Sequence, residues 1–133
     1  MSARIIDGKR IAEVVRAEVK QEAEAFTART GIRPRIVFLL VGENPASMVY
    51  VRNKGKAAED AGFSHETKSF PATISEQALL DQISALNADR ATHAMLCQLP
   101  LPKLLPVWRL EIPGIGHVSE FLYFHERSGV ASA

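Results

Sequence analysis

Hydrophobic residues in the first part of the chain follow a helical spacing and then change to a strand-like run. Over residues 7–31 the apolar positions recur on one face of a predicted amphipathic helix. After Pro34 a continuous apolar run occupies residues 35–42, which is typical of a strand covered on both faces. The helical stripe consists of Ile11, Val14, Val15, Val19 and Phe26.

The same succession of helix and strand follows twice more. Asn44-Pro45 supplies a cap residue and a proline in the first helical position, and predicts a second helix that ends near the next glycine. A short mixed strand is predicted over 65–70 and a third helix over 75–88. A second apolar strand covers 94–99, where prolines end it.

This α-β-α-β-α-β order predicts an α/β fold in a single domain. Strands separated by helices require crossover connections, which favour a largely parallel sheet with helices packed on both faces. Ligands of such sheets bind beyond the carboxyl ends of the strands. Two loops are therefore of interest, 42–47 after the first strand and 98–102 after the last.

Composition narrows the class of protein. The 133 residues, 47% of them apolar, suffice for one hydrophobic core. A net charge of +1 argues against a nucleic-acid partner, and no apolar run is long enough to span a membrane. The single cysteine, Cys97, excludes an internal disulfide, and no Cys/His spacing predicts a metal site. These features fit a cytoplasmic protein.

Residues 103–133 differ in character from the rest. Prolines and glycines interrupt this segment, and its aromatic residues follow neither a helical nor an alternating period. We predict no element there and expect residues 104–133 to be loosely ordered or to pack opportunistically, so that limited proteolysis would cut first beyond Pro102.

The second helix carries the candidate chemistry. Ser47, Tyr50 and Lys54 lie at i, i+3 and i+7, so that their side chains share one face. A phenol ring can stack on a flat heterocycle, and a partly buried lysine can exchange protons near neutral pH. The alternative interpretation is a surface tyrosine and a solvated lysine, which spacing alone favours.

The Tyr-x-x-x-Lys spacing also occurs in short-chain dehydrogenases, whose tyrosine is a general acid. Those enzymes have a glycine-rich dinucleotide loop after the first strand, whereas residues 42–45 here read Gly-Glu-Asn-Pro. Val37 stands where their serine would fall. This class of enzyme is therefore disfavoured.

Four ordered motifs point to another family. They are Ile-Ile-Asp-Gly-Lys at 5–9, Val-Gly-Glu-Asn-Pro-Ala-Ser at 41–47, Tyr-Val-Arg-Asn-Lys-Gly-Lys at 50–56 and Gln-Leu-Pro-Leu-Pro at 98–102. Over about three quarters of its length the chain resembles the bifunctional methylenetetrahydrofolate dehydrogenase/methenyltetrahydrofolate cyclohydrolase family.

The resemblance implies a site for a folate substrate. Lys54 would transfer protons, Gln98 would position Lys54 and the attacking water, and Tyr50 would stack on the folate. Cys97 is also expected to be a small buried hydrophobe rather than a nucleophile. The remaining substrate-binding residues implied by the resemblance are Ser47, Val51, Arg52, Asn53, Cys97, Leu99 and Pro100.

The family interconverts 5,10-methylene-, 5,10-methenyl- and 10-formyl-tetrahydrofolate with NADP as cofactor, and its members are dimers. In this chain we expect a partial catalytic domain over residues 1–102, a divergent segment over 103–133 and no NADP-binding Rossmann domain. The motif whose aspartate holds the pterin is not found, since the last aspartate is Asp89. Two alternatives therefore stand beside the enzyme: a folate-binding or dimerisation module without turnover, and a non-functional fragment.

Overall fold

The computed structural model of the protein describes residues 5–102, Leu105 and Tyr123–Phe124. All six predicted elements are present within this part of the chain, and a short fourth strand was not predicted. The helices are α1 (Gly8–Thr30), α2 (Pro45–Asp60) and α3 (Glu76–Ala88). The strands are β1 (Arg35–Val41), β2 (Ser64–Phe70), β3 (Ala94–Cys97) and β4 (Tyr123–Phe124).

The helix starts are set by local capping. The side chains of Asp7, Asn44 and Ser75 accept hydrogen bonds from backbone N–H groups in the first turns of α1, α2 and α3. Gly31, with φ of 71°, ends α1 in the left-handed conformation that glycine adopts most readily. These boundaries confirm the predicted starts of all three helices and the predicted end of α1.

The sheet has the strand order β2-β1-β3-β4. β1 pairs in parallel with β2 and with β3, while β4 pairs with β3 in the antiparallel sense. The largely parallel sheet is thus confirmed. β4 belongs to the segment for which no element was predicted, because a strand of two residues has no detectable period. Apart from Leu105 and β4, the segment 103–133 lies outside the described residues, and the expectation of a loosely ordered tail is untested.

Helices cover both faces of the sheet, as predicted. One cluster of buried residues joins β1 and β3 to α3 and includes Leu39 and Leu79, both fully buried. On the opposite face, Phe38 and Leu40 pack against Val51 of α2. These two clusters explain why β1 is apolar along its length. Its alternate residues point to opposite faces of the sheet, and both faces are covered.

α1 contributes little to this core. Among its residues only Ala23 is buried. The apolar stripe predicted for the helix is present, but Ile11, Val14 and Val15 in its first half are exposed. No helix in the described part of the chain has the combination of length and apolar character needed to cross a membrane.

A group of charged residues joins the elements near the amino end of β1, remote from the carboxyl ends of the strands. The guanidinium group of Arg35 forms ion pairs with Glu66 of β2 and with Asp89, the residue after α3, the latter at 3.5 Å. The ammonium group of Lys68 lies 3.3 Å from Glu66.

Both carboxylates have lowered pKa values. Burial disfavours the charged form of Glu66, but hydrogen bonds from Arg35 and Lys68 outweigh it and hold the pKa of Glu66 below its ordinary 4.5. A backbone hydrogen bond from Ala91 lowers the pKa of Asp89 below its ordinary 3.8. Each carboxylate therefore favours the folded state only while it is ionised.

We expect the free energy of unfolding to fall as the pH drops below about 4.5, because the unfolded chain then binds more protons than the folded one. The contribution of these groups is fully present above that pH and is lost as the pH passes through the lowered pKa values. Urea unfolding at about pH 6 and about pH 3 measures the effect. Arg35→Met should show the smaller pH dependence; an equal dependence in both proteins would contradict this assignment.

Candidate active site

The two predicted loops meet at the carboxyl ends of β1 and β3. Ser47, which is buried in the first turn of α2, donates a hydrogen bond from Oγ to the carbonyl oxygen of Leu99 at 3.3 Å. Gly42 turns the chain out of β1 with φ of 82° and donates its N–H to Phe70 at 2.8 Å. The start of α2 is thereby held against the segment after β3, and we refer to the surface at this junction as the cleft.

Lys54 and Gln98 come together across this cleft. Lys54 Nζ donates a hydrogen bond to Gln98 Oε1 at 2.8 Å, although the two residues are 44 positions apart in sequence. Gln98 is 9% exposed, and its Nε2 donates to the carbonyl oxygen of Leu99 at 2.6 Å. Its backbone N–H donates to Leu39 at 2.9 Å. The amide of Gln98 is therefore fixed, with its oxygen towards Lys54.

Lys54 is the donor in this hydrogen bond, and the amide oxygen of Gln98 is the acceptor. A neutral amine that donates one N–H to Gln98 retains its lone pair for a proton from another group. Lys54 itself is exposed, so the partial burial expected for it is not found in this chain. The buried member of the pair is the glutamine, which holds the end of a solvent-accessible lysine in place.

Tyr50 lies one turn before Lys54 on the same side of α2. It is 58% exposed, which leaves the ring accessible to a planar ligand. Asn53 and Pro100 are also exposed near the cleft, and Leu99 is half-buried. The structure thus brings together Ser47 and Lys54 of α2 with Gln98 and Leu99, and leaves Tyr50 open beside them.

Three other candidate residues lie apart from this cleft. Val51 packs into the core with Phe38, and Cys97 belongs to the core cluster on the other face of the sheet. Burial raises the pKa of the Cys97 thiol to about 11, so this residue is a buried hydrophobe as expected. Arg52 projects from a different side of α2, where it lines a groove of about 830 Å³ with Lys56.

The cleft combines a fixed amide, an amine and an accessible aromatic ring at the carboxyl edge of an α/β sheet. The model of the tetrahydrofolate dehydrogenase/cyclohydrolase catalytic domain matches residues 6–109. The chain belongs to this family. The match extends past residue 102, and the domain boundary set there stays a prediction.

Curated relatives support the assignment to this family. The bifunctional protein FolD of Ralstonia pickettii is 53% identical over 103 residues, which are 77% of this chain and 35% of the relative. The chain therefore spans about a third of the length of such curated relatives.

Solved structures of the family share the fold. A 5,10-methylenetetrahydrofolate dehydrogenase from the silkworm Bombyx mori matches with a TM-score of 0.74 and 38% identity, over 78% of this chain and 36% of that one. The FolD enzyme of Trypanosoma brucei, solved with NADP cofactor and inhibitor, matches with a TM-score of 0.72 and 33% identity, over 80% of this chain and 36% of that one.

The starts of α2 and α3, the two described helices that follow a strand, do not fit the phosphate groups of NADP. In dinucleotide-binding folds the phosphate groups bind free backbone N–H groups at a helix N-terminus. At the start of α2, Pro45 has no N–H group and the N–H of Ser47 already donates to Asn44. At the start of α3, Ser75 caps the helix and Glu76 adds negative charge to its first turn.

Sequence reasoning missed a close contact between α2 and the sheet. Gly55 is buried against His65 of β2, and a Cβ atom at position 55 would lie 2.7 Å from the imidazole Cε1. Glycine at this position therefore lets α2 approach the sheet. A glycine inside a predicted helix was the available signal, because such a residue costs about 1 kcal/mol of helix stability and needs a packing reason.

Proposed function

We propose that this chain carries the folate-binding and proton-transfer site of a methylenetetrahydrofolate dehydrogenase/methenyltetrahydrofolate cyclohydrolase. The observation that carries the proposal is the hydrogen bond of 2.8 Å between Lys54 Nζ and Gln98 Oε1. It joins a helix residue to the end of a strand and sets an amine beside an accessible aromatic ring. Family membership supplies the substrate class, a tetrahydrofolate that carries a one-carbon unit.

The chemistry assigned to this site is hydrolysis of the methenyl group. Water adds to the electrophilic methenyl carbon and loses a proton, which leaves a hydroxyl group on that carbon. One carbon–nitrogen bond then breaks as the hydroxyl group loses its proton and the carbon–oxygen double bond of the formyl group forms, and the departing nitrogen gains a proton, so that one proton is released overall. Lys54 is the group to which we assign accepting and returning the proton, since a neutral amine at this position can donate to Gln98 and still keep its lone pair. Gln98 fixes the amine at the position where the water attacks.

Substrate binding is assigned to the residues around this pair. Tyr50 stacks on the planar part of the folate, because its ring is exposed beside Lys54. Ser47 acts indirectly: its hydroxyl group holds the carbonyl oxygen of Leu99, and so fixes the segment that presents Gln98. Leu99, Pro100 and Asn53 border the same cleft. Val51 and Cys97 contribute through the core rather than through contact with substrate, and Arg52 lies on a different side of α2.

A folate-binding module without turnover is the second candidate function. It is favoured by the exposure of Lys54, because the site is not closed off from solvent around the group to which proton transfer is assigned. Binding alone requires only the tyrosine and the cleft, whereas hydrolysis also requires a neutral amine. A hydrolysis assay with methenyltetrahydrofolate separates the two functions: turnover above the rate in buffer excludes the module.

Calorimetric titration is expected to show weak binding of a tetrahydrofolate analogue and no binding of NADP. The stacking residue and the cleft are present in the described part of the chain, whereas neither helix N-terminus beyond β1 or β2 fits the phosphates. Tyr50→Ala should abolish the folate signal, and Tyr50→Phe should keep most of it because the ring remains. Binding of NADP at micromolar affinity, about −8 kcal/mol, would contradict the proposal for the cofactor.

A further inference from the structure

The side of α2 that packs on the sheet ends in a glycine beside Lys54. Ser47, Val51 and Gly55 are the buried residues of the helix, and their spacing of four places them along one side. Each has a different partner: Ser47 contacts Leu99, Val51 packs in the core, and Gly55 lies against the imidazole ring of His65. At the level of Lys54, α2 therefore contacts the sheet through this ring.

His65 is confined at the place where it meets Gly55. Its Nε2 lies 3.2 Å from the carboxylate oxygen Oε1 of Glu59, one turn after Gly55 in α2. The centroid of its ring is 6.0 Å from that of Phe38, and its side chain is 25% exposed. The ring cannot turn away from α2 without giving up these contacts.

A methyl group at position 55 does not fit between the helix and this ring. Its carbon would lie 2.7 Å from Cε1 of His65 and 3.1 Å from each ring nitrogen, whereas ordinary van der Waals contacts begin at 3.4 Å. In open space alanine would strengthen a helix, because it has the higher helix propensity. At this position it would instead push α2 away from the sheet.

Two hydrogen bonds at the cleft depend on the depth of α2. Lys54 Nζ donates to Gln98 Oε1 at 2.8 Å, and Ser47 Oγ donates to the carbonyl oxygen of Leu99 at 3.3 Å. The second distance already exceeds the usual upper value of about 3.0 Å for a hydroxyl donor. Because a serine side chain is too short to follow a helix that moves outward, such a shift would break this bond and release the segment that presents Gln98.

We propose that Gly55 is a positioning residue for the reaction, because the absence of a side chain sets α2 at the depth at which Lys54 meets Gln98. Gly55 contacts His65 rather than the cleft, so it acts through the position of the helix. The catalytic consequence rests on the proposed function, whereas the effect on the hydrogen bond between Lys54 and Gln98 does not.

The side-chain amide signals of Gln98 in a nitrogen–proton correlation spectrum of the full chain test this geometry without turnover. Gln98→Ala assigns the signals by their loss, and Lys54→Met shows where they lie without the hydrogen bond from the lysine. Gly55→Ala is expected to move them towards the position seen in Lys54→Met. Gly8→Ala, where nothing lies within 4 Å of the added methyl group, should leave them unchanged.

Removal of the imidazole ring is expected to reverse the effect. In Gly55→Ala/His65→Ala the added methyl group meets no ring, so the Gln98 signals should match those of His65→Ala alone. His65→Phe sets a larger ring against the native glycine and should move the signals in the same direction as Gly55→Ala; it provides the test if Gly55→Ala does not fold. Signals indifferent to both substitutions, or a double variant that does not recover, would overturn the proposal.

Kinetics of methenyltetrahydrofolate hydrolysis test the catalytic consequence. Gly55→Ala is expected to lower kcat by roughly 10–100-fold, the loss typical of a small misplacement of a reacting group. KM should change by less than about threefold, because the ring of Tyr50 remains accessible. If Gly55→Ala only lowered the thermal midpoint and kept the kcat of the wild type, Gly55 would be structural and the proposal wrong. A wild type without turnover would instead overturn the proposed function, while the Gln98 signals still decide the role of Gly55.

Discussion

Lys54→Met is expected to lower the rate of methenyltetrahydrofolate hydrolysis by about 10²–10⁴-fold, because it removes the group that accepts the proton from water. This loss corresponds to about 3–5 kcal/mol of activation free energy. Lys54→Arg should be almost as inactive, since a guanidinium group stays protonated near neutral pH. The measurement is the initial rate of loss of substrate, corrected for the rate in buffer.

Matched variants separate chemistry from folding in this experiment. Lys54 is exposed, so Lys54→Met should leave the thermal midpoint of unfolding within about 2 °C of the wild-type value. Tyr50→Phe should retain most of the hydrolysis because its ring still stacks. Full activity of Lys54→Met would show that the lysine is only a surface charge, and the catalytic assignment would be wrong.

Leu39→Ala is expected to lower the free energy of unfolding by about 2–5 kcal/mol. Leu39 is fully buried in the central strand β1, and its carbonyl oxygen accepts the hydrogen bond from the backbone of Gln98. Truncation leaves a cavity between the sheet and α3. Since each kcal/mol shifts the midpoint of a domain of this size by about 4–8 °C, a thermal melt resolves the change easily.

The control for this variant is Ile32→Ala, whose side chain is 49% exposed and should change stability by less than about 0.5 kcal/mol. If Leu39→Ala were equally mild, the core would relax around the smaller side chain, and the account of β1 as the tightly packed centre of the sheet would be wrong.

The elements of the fold could be predicted because local patterns and tertiary packing agree. Asp7, Asn44 and Ser75 signal the helix starts and also make the capping hydrogen bonds. The continuous apolar run of β1 signals burial on both faces, which α2 and α3 provide. β4 could not be predicted, because two residues carry no period and their pairing with β3 is non-local.

The sequence supplies candidate residues for the site but not their geometry. The helical spacing puts Ser47, Tyr50 and Lys54 on one side of α2, but only the fold sets Gln98 within hydrogen-bonding distance of Lys54. Spacing also did not show that Val51 faces the core or that Arg52 lies on a different side of α2 from Lys54. The spacing shows which residues share a side of the helix. Which side packs on the sheet depends on the fold, and a single sequence does not show it.

A double-mutant cycle between Lys54 and Gln98 tests the central claim most directly. Rates of methenyltetrahydrofolate hydrolysis are compared for the wild type, Lys54→Met, Gln98→Ala and the double variant. Because Gln98 acts by positioning Lys54, we expect Gln98→Ala to slow the wild type by at least about tenfold and to have almost no further effect once Lys54 is methionine. Independent, additive losses, or a wild-type rate no faster than that in buffer, would contradict the account.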